Sequence, residues 1–319
     1  MSNMVEVYAP EDLEQLKVSS ESETGNAGRS VKRVLNILAD RGAHWPSSAT
    51  PQDGSLLDLG RRFPNFAAPI EDIRRAAALA RLAPGSPLVL APMLLDGSPG
   101  IGKSHFAREV AAALRVPMQT FSMAQATASF GLGGLNTQYD SGGPGYLVRS
   151  FADGGVPDPV VVVDELDKAA VFSSHDPTRP LYELLEAGTA ARFVDDGLRM
   201  PLNLGAIRWI ATCNDPDLIA EPLRSRFLHY EIQRPTPAQM RDIAARAYRE
   251  VVTAGAWSRH FDSELPDDVA DALATGVPRD LARTLRAALG AAALAGRSTI
   301  RVGDMPSTRS TARMRMGFA

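Results

Sequence analysis

Cysteine is nearly absent from this 319-residue sequence, with Cys213 the only one, and a single thiol excludes a framework of internal disulfides. Histidine is sparse as well: the five residues are scattered without metal-ligand spacing, which excludes a zinc site of the His/Cys type. Long apolar runs are missing. The most apolar stretches, Leu88 to Leu95 and Val160 to Val163, fall far below the ~18 residues a bilayer span needs, and Pro92 breaks the first. The N-terminus is acidic and polar, with neither a basic n-region nor an apolar h-region, so no secretory leader is expected and a reducing cytoplasm is the expected location. An excess of positive charge is also missing. A net charge of −3 argues against a surface that coats nucleic acid and points to protein partners, with no membrane. What is present is a hydrophobic content of 45%, ordinary for a globular chain, in a length that suits one large or two ordinary domains.

The stretch that organises the chain is Gly97-Ser98-Pro99-Gly100-Ile101-Gly102-Lys103-Ser104, which fits G-x-x-x-x-G-K-[ST] at every position. The apolar segment before it reads as a strand and Ser104 to Leu114 as a helix, the context this P-loop motif requires. A glycine-rich loop feeding a helix N-terminus turns successive backbone N–H groups inward and makes a nest for a polyphosphate. Lys103 is expected to reach the β- and γ-phosphates of ATP, and the Ser104 hydroxyl to ligate the Mg²⁺ that bridges them.

Residues 1–60 read as a partly flexible arm, with a short helical pattern (Val31, Val34, Leu35, Leu38) between Ser/Glu/Gly-rich and Pro/Ser/Gly-rich stretches. From Phe63 an α/β domain spanning 61–234 is expected. Ile70 to Leu82 reads as a helix, and Phe66 and Ile70 are candidates to touch an adenine. After a short strand, Met118 to Ser122, a glycine-dense loop runs from Gly131 to Tyr146 and carries Tyr139 near its middle. Val160-Val161-Val162-Val163-Asp164-Glu165 reads as a buried parallel strand delivering two acids into the nucleotide crevice. Asp164 suits the Mg²⁺ shell and Glu165 the deprotonation of an attacking water.

Pro180 to Ala187 reads as an amphipathic helix, and Gly188 to Val194 as a hairpin-like turn into a strand. Ala206 to Thr212 is a further apolar strand ending at Asn214, whose amide can touch the γ-phosphate or the water. Arg224 and Arg226 stand just ahead of a last strand, Leu228 to Ile232, where one of them can serve a second chain's nucleotide as a finger. Pro235-Thr236-Pro237 then opens a helical domain over 235–305, with helices at Ala238 to Thr253, Pro266 to Leu273 and Pro278 to Ala295. Arg279 begins the last of these, a residual strand is expected at Thr299 to Val302, and 306–319 is a basic tail with Arg309, Arg313 and Arg315.

This order of signals resembles an AAA+ ATPase module, and its texture is similar to the ATPase portion of Lon-type proteases. The strings Leu94 to Ser104, Asp164-Glu165-Leu166-Asp167-Lys168 and Thr212-Cys213-Asn214 carry the likeness. The resemblance implies a P-loop NTPase fold, a parallel sheet flanked by helices followed by a small all-helical lid. It places Lys103 and Ser104 in Walker A, Asp164 and Glu165 in Walker B, and Asn214 at sensor 1. It makes Arg226 the arginine finger ahead of Arg224, Arg279 the sensor 2 residue, and Tyr139 the pore-loop aromatic that contacts substrate. Asp140 departs from the apolar residue expected beside that aromatic. The resemblance further implies ATP and ADP as ligands and a homo-oligomeric, six-membered ring, because finger and nucleotide lie on different subunits.

The expected function is an ATP hydrolase that couples MgATP turnover to remodelling of a protein partner. A peptidase made by this polypeptide alone is not expected, since the sequence stops soon after the lid. A second reading is an ATP-dependent scaffold or switch that recruits a separate effector, a protease or nuclease. A third, a DNA-associated loader or motor, rests only on Arg309, Arg313 and Arg315.

Overall fold

The computed structural model describes residues 4–21, 25–82, 87–126, 130–139, 141–169 and 176–306. They divide into two units, Met1–Gln233 and Arg234–Ala319. The first opens with β1 (Met4–Glu6), α1 (Pro10–Ser20), α2 (Gly25–Arg41), β2 (His44–Pro46), α3 (Asp53–Arg62) and α4 (Ala67–Leu82). It continues with β3 (Met93–Asp96), α5 (Lys103–Leu114), β4 (Met118–Ser122), α6 (Phe130–Gly133), α7 (Tyr146–Gly154) and β5 (Val160–Asp164). Two short helices, α8 (Leu181–Leu184) and α9 (Ala187–Ala190), lead to β6 (Phe193–Val194) and β7 (Pro201–Leu202), and then come β8 (Arg208–Cys213), α10 (Glu221–Arg224) and β9 (Leu228–Glu231).

Five strands form one parallel sheet in the order β4-β5-β8-β3-β9. The period of two in each strand decides which face each side chain enters. Along β5, Val161 and Val163 join one apolar core while Val160 and Val162 join the other; along β8, Trp209, Ala211 and Cys213 face the first core and Ile210 the second. Both faces are therefore covered, as a parallel sheet with helical crossovers requires. Each fully buried valine contributes on the order of 1.5–3 kcal/mol relative to exposure. The P-loop strand β3 sits between β8 and β9, so its C-terminal end opens beside that of β8.

Residues 4–21 and 25–62 contribute to both cores of the first unit. Val31, Val34, Leu35 and Leu38 form one stripe of α2, and that stripe is buried in the same core as Leu147, Val148 and Phe151 of α7. Trp45 of β2, which pairs antiparallel with β1, stacks on Phe151 with ring centroids 5.0 Å apart, and Arg33 pairs with Asp153 at 2.9 Å. The opposite face receives Leu56 and Leu59 of α3. Beneath the sheet, Arg208 is 1% exposed and Asp158 fully buried, paired at 2.8 Å, and Asp158 also accepts the Ser48 amide at 3.0 Å. The Ser/Gly-rich composition hid a segment whose apolar stripe has a tertiary partner.

Other boundaries moved as well. The strand ahead of the P-loop begins at Met93 rather than Leu88, and Pro180 to Ala187 holds α8 and the start of α9 instead of one helix. Phe66 and Ile70 are core residues: Phe66 is fully buried and stacks on Phe106 at 4.4 Å.

The second unit packs α11 (Pro237–Ala254), α12 (Asp267–Leu273) and α13 (Pro278–Leu294) around Met240, Tyr248, Leu273, Leu281 and Leu285. Thr236 caps α11 through a reciprocal capping box with Gln239, and Pro237 follows where a missing N–H costs nothing. Thr299 to Val302 forms no strand; a 3-10 turn, Val302–Asp304, stands at its end, and Arg297 pairs with Asp304 at 2.6 Å. Arg309, Arg313 and Arg315, with the tail they define, lie outside the described residues, as does Asp140.

Candidate functional site

The loop from Gly97 to Gly102 leaves β3 and enters α5 through backbone that side chains rarely adopt. Gly97 has φ +156°, and a Cβ there would lie 2.6 Å from the Ile232 carbonyl oxygen; Gly102, the N-cap of α5, has φ +106°. These two positions need glycine for different reasons, close approach at the first and a left-handed turn at the second. Ile101 is buried in the core and pins the loop from below, while Ser98 and Gly100 are half-buried and Pro99 is exposed.

Lys103 opens α5 with only 8% of its surface exposed. Its Nζ donates to the carbonyl oxygens of Gly97 at 2.5 Å and Ser98 at 3.3 Å and to Asn214 Oδ1 at 3.0 Å. Burial pushes the Lys103 pKa down, and the acidic groups around it, Asp96, Asp167 and Asp164, oppose that shift. A cation so placed beside the Ser98 to Gly102 backbone is suited to a polyphosphate.

The register of the sheet delivers the acids to the same place. Val163 lies opposite Ala211, which sets Asp164 beside Thr212. Asp164 Oδ1 accepts from the Ser104 hydroxyl at 2.7 Å and from the Thr212 hydroxyl at 2.7 Å, and the Glu165 amide donates to Thr212 Oγ1 at 3.0 Å. Glu165 itself sits in the left-handed region, φ 55° and ψ 51°. For a non-glycine residue that conformation carries strain on the order of 1–3 kcal/mol, held only where the surroundings determine it. Cys213, buried beside these groups, has its thiol pushed up to about 12 by desolvation and by Asp96 and Asp167, so it is no nucleophile near neutral pH.

Lys103, Ser104, Asp164, Glu165 and Asn214 are thus brought together at the C-terminal ends of β3, β5 and β8. The donor set suits a small, hard cation: a hydroxyl and a carboxylate oxygen 2.7 Å apart. Among the described residues no group of three or more His, Cys, Asp or Glu could hold a metal ion. A sparse set of protein ligands is what magnesium uses when substrate phosphates and water complete its shell.

The remaining expected residues have surroundings of their own. Arg226, at the turn after α10, has Nε 3.2 Å from Glu186 Oε1 and its guanidinium carbon 5.2 Å from the Tyr182 ring centroid; Nη1 donates to the Pro222 carbonyl. Arg224 turns instead to Asp217 at 2.9 Å and the Pro216 carbonyl at 3.0 Å. Arg279 is exposed in the first turn of α13, in the second unit. Tyr139 is 61% exposed near the tip of a loop whose two sides pair through Leu135 and Gly143.

Two residues escaped the sequence reading. Thr212 carried a faint signal, a hydroxyl near the end of an otherwise apolar strand. Asp195 carried none, since it reads as an ordinary acid in the turn Val194-Asp195-Asp196-Gly197. In the fold it is fully buried and accepts the amides of Gly145 at 2.9 Å, Gly197 at 2.9 Å and Leu198 at 2.8 Å. It joins the turn after β6 to the base of the Tyr139 loop, where a Cβ on Gly134 would meet its carboxylate at 2.2 Å.

Residues 93–234 match the family model described as "ATPase family associated with various cellular activities (AAA)". The chain is similar to Lon protease of Paraburkholderia phytofirmans, 30% identical over 215 residues that cover 66% of this chain and 26% of that protein. It is likewise similar to the mitochondrial Lon protease homolog of Drosophila melanogaster, 35% identical over 134 residues, 42% of this chain and 13% of that one. The chain therefore spans about a quarter or less of the curated relatives it matches. Among solved structures it is similar to the closed state of Hsp104 with ATPγS and FITC casein, at TM-score 0.60 and 18% identity over 76% of this chain and 48% of that one. A Thermotoga maritima RuvB variant gives TM-score 0.50 and 17% identity over 75% of this chain and 66% of that one. At such identities these structures establish the fold, a P-loop NTPase sheet of the AAA type.

Proposed function

We propose that this chain, an ATP hydrolase whose AAA module resembles the matching stretch of Lon proteases, uses MgATP turnover in a ring of identical copies to remodel a protein partner. The observation that carries the reading is the single carboxylate oxygen of Asp164 that receives both the Ser104 and the Thr212 hydroxyls at 2.7 Å. It ties the P-loop helix to the acid-tipped strand at the point where a nucleotide's phosphates would lie.

In this reading the P-loop from Gly97 to Ser104 binds the phosphates, with Lys103 neutralising the β- and γ-groups. Ser104 and Asp164 would hold magnesium, which when bound would offset the charge that develops on the phosphates. Glu165 takes a proton from the attacking water, and the Asn214 amide orients that water or the γ-phosphate. Arg226 completes the site of a neighbouring copy, a contribution of about 10³–10⁵ in rate for arginine fingers generally. Arg279 is the proposed sensor 2 arginine, and Tyr139 meets the substrate. The cytoplasm is the proposed compartment.

Glu165→Gln tests the assignment. ATP binding, followed with a fluorescent ATP analogue, is expected to survive while turnover falls by orders of magnitude. Unchanged hydrolysis would remove Glu165 from the role. ATP-driven assembly with turnover that nothing downstream requires would favour the scaffold reading over remodelling.

A further inference from the structure

We propose that Glu186 and Tyr182 are positioning residues that hold the Arg226 guanidinium in the pose it offers to a neighbouring copy's nucleotide; this rests on the reading of Arg226 as an arginine that acts in trans. The geometry is a clamp assembled from separate elements. The ring of Tyr182, on α8, lies against the guanidinium carbon at 5.2 Å; Glu186, at the start of α9, sets Oε1 3.2 Å from Nε; and the Pro222 carbonyl of α10 accepts from Nη1.

The platform is firm where it needs to be. Tyr182 is half-buried and packs against the main core, so the aromatic face cannot follow the arginine if it moves. Glu186 occupies the N-cap position of α9 yet makes no capping hydrogen bond. Its carboxylate instead forms an ion pair with Arg226, 3.2 Å from an Nε that has no hydrogen-bond partner among the described residues.

The clamp has little value for stability alone. The Glu186 side chain is 55% exposed and that of Arg226 27%, and ion pairs in such surroundings contribute little to folding. What the arrangement does supply is orientation. An arginine has many rotamers, and a planar fork that must meet phosphate oxygens on another chain acts only when its direction is fixed. Arg224 serves as the internal contrast. It lies two positions earlier, where a helix turns it to a different side; its partner Asp217 is 89% exposed, and no aromatic ring among the described residues lies under its guanidinium.

The test uses the full chain with Glu186→Gln and Tyr182→Leu. Each is expected to lower kcat for ATP at least about tenfold with KM little changed, because the nucleotide each subunit binds touches neither residue. Tyr182→Phe, which keeps the ring face, is expected to stay near the parent value. Subunits are then mixed before ATP is added. Lys103→Ala subunits cannot hydrolyse ATP but present an intact clamp, so adding them to Glu186→Gln subunits should raise turnover above the sum of the two alone. Parent-like kcat in both Glu186→Gln and Tyr182→Leu overturns the proposal. It is also overturned if mixing restores Arg226→Ala subunits but not Glu186→Gln. If mixing restores neither, the trans role of Arg226 falls and takes the clamp with it.

Discussion

Thr212 holds both acids of the site at once: its hydroxyl donates to Asp164 Oδ1 at 2.7 Å and accepts the Glu165 amide at 3.0 Å. One buried side chain thereby fixes the direction of the carboxylate that faces Ser104 and the left-handed backbone of the residue beside it. Thr212→Val keeps the volume and removes both bonds. Outer-shell changes of this kind cost about 10–100-fold in activity or metal affinity, and an unpaired buried amide costs about 1–3 kcal/mol. The expected result is an ATPase weakened within that range, a raised magnesium requirement and a modest loss in denaturation midpoint, with Thr212→Ser close to the parent. Equal magnesium dependence in Thr212→Val and parent would remove Thr212 from the site.

The ion pair beneath the sheet gives a prediction about folding. Asp158 and Arg208 are both essentially inaccessible, and Asp158 also receives Ser48. Asp158→Ala leaves a guanidinium buried without its counter-charge, a loss of about 3–5 kcal/mol in comparable pairs. Chemical denaturation should detect it. Replacing both partners, Asp158→Leu with Arg208→Met, is expected to cost less than the single change.

Asp195 makes stability depend on pH in a defined direction. Burial pushes its carboxyl up to about 6, against three amides that favour the charge. The folded state therefore binds a proton more tightly than the unfolded chain does. This group's stabilising contribution is full below about pH 4 and is lost as pH rises through about 6, on the order of 3 kcal/mol across that window. The difference in unfolding free energy between parent and Asp195→Asn, measured from pH 4 to 7, should fall by that amount as pH rises. A difference that does not vary with pH contradicts the assignment.

Cys213 should resist alkylation. Its buried thiol, pushed up to about 12, carries almost no thiolate near neutral pH. Iodoacetamide is expected to leave the native protein unlabelled and to label it in denaturant. Fast labelling of the native protein would place the thiol in a more open setting.

Much of the site was legible because its signals are local. The string from Gly97 to Ser104 sets its own backbone, and the four valines before Asp164 announce a doubly covered strand. The convergence of Asp164 with Ser104 follows from parallel register once both strands are recognised. Thr212 and Asp195 were hidden because burial and hydrogen bonding by distant backbone define them, and no window of sequence carries that information. The same holds for residues 4–62, whose stripe on α2 is too short to announce the core it enters. The clamp on Arg226 was invisible too, since Tyr182 and Glu186 lie in a different part of the chain and read as an ordinary amphipathic helix.

In the proposed mechanism turnover is completed between copies of the chain. This is tested most directly by measuring ATP hydrolysis against protein concentration, for the parent and Arg226→Ala, with light scattering to count subunits. Specific activity is expected to rise as a ring assembles, and Arg226→Ala to bind ATP and assemble but fail to hydrolyse it. Specific activity independent of concentration, with Arg226→Ala as active as the parent, would contradict it.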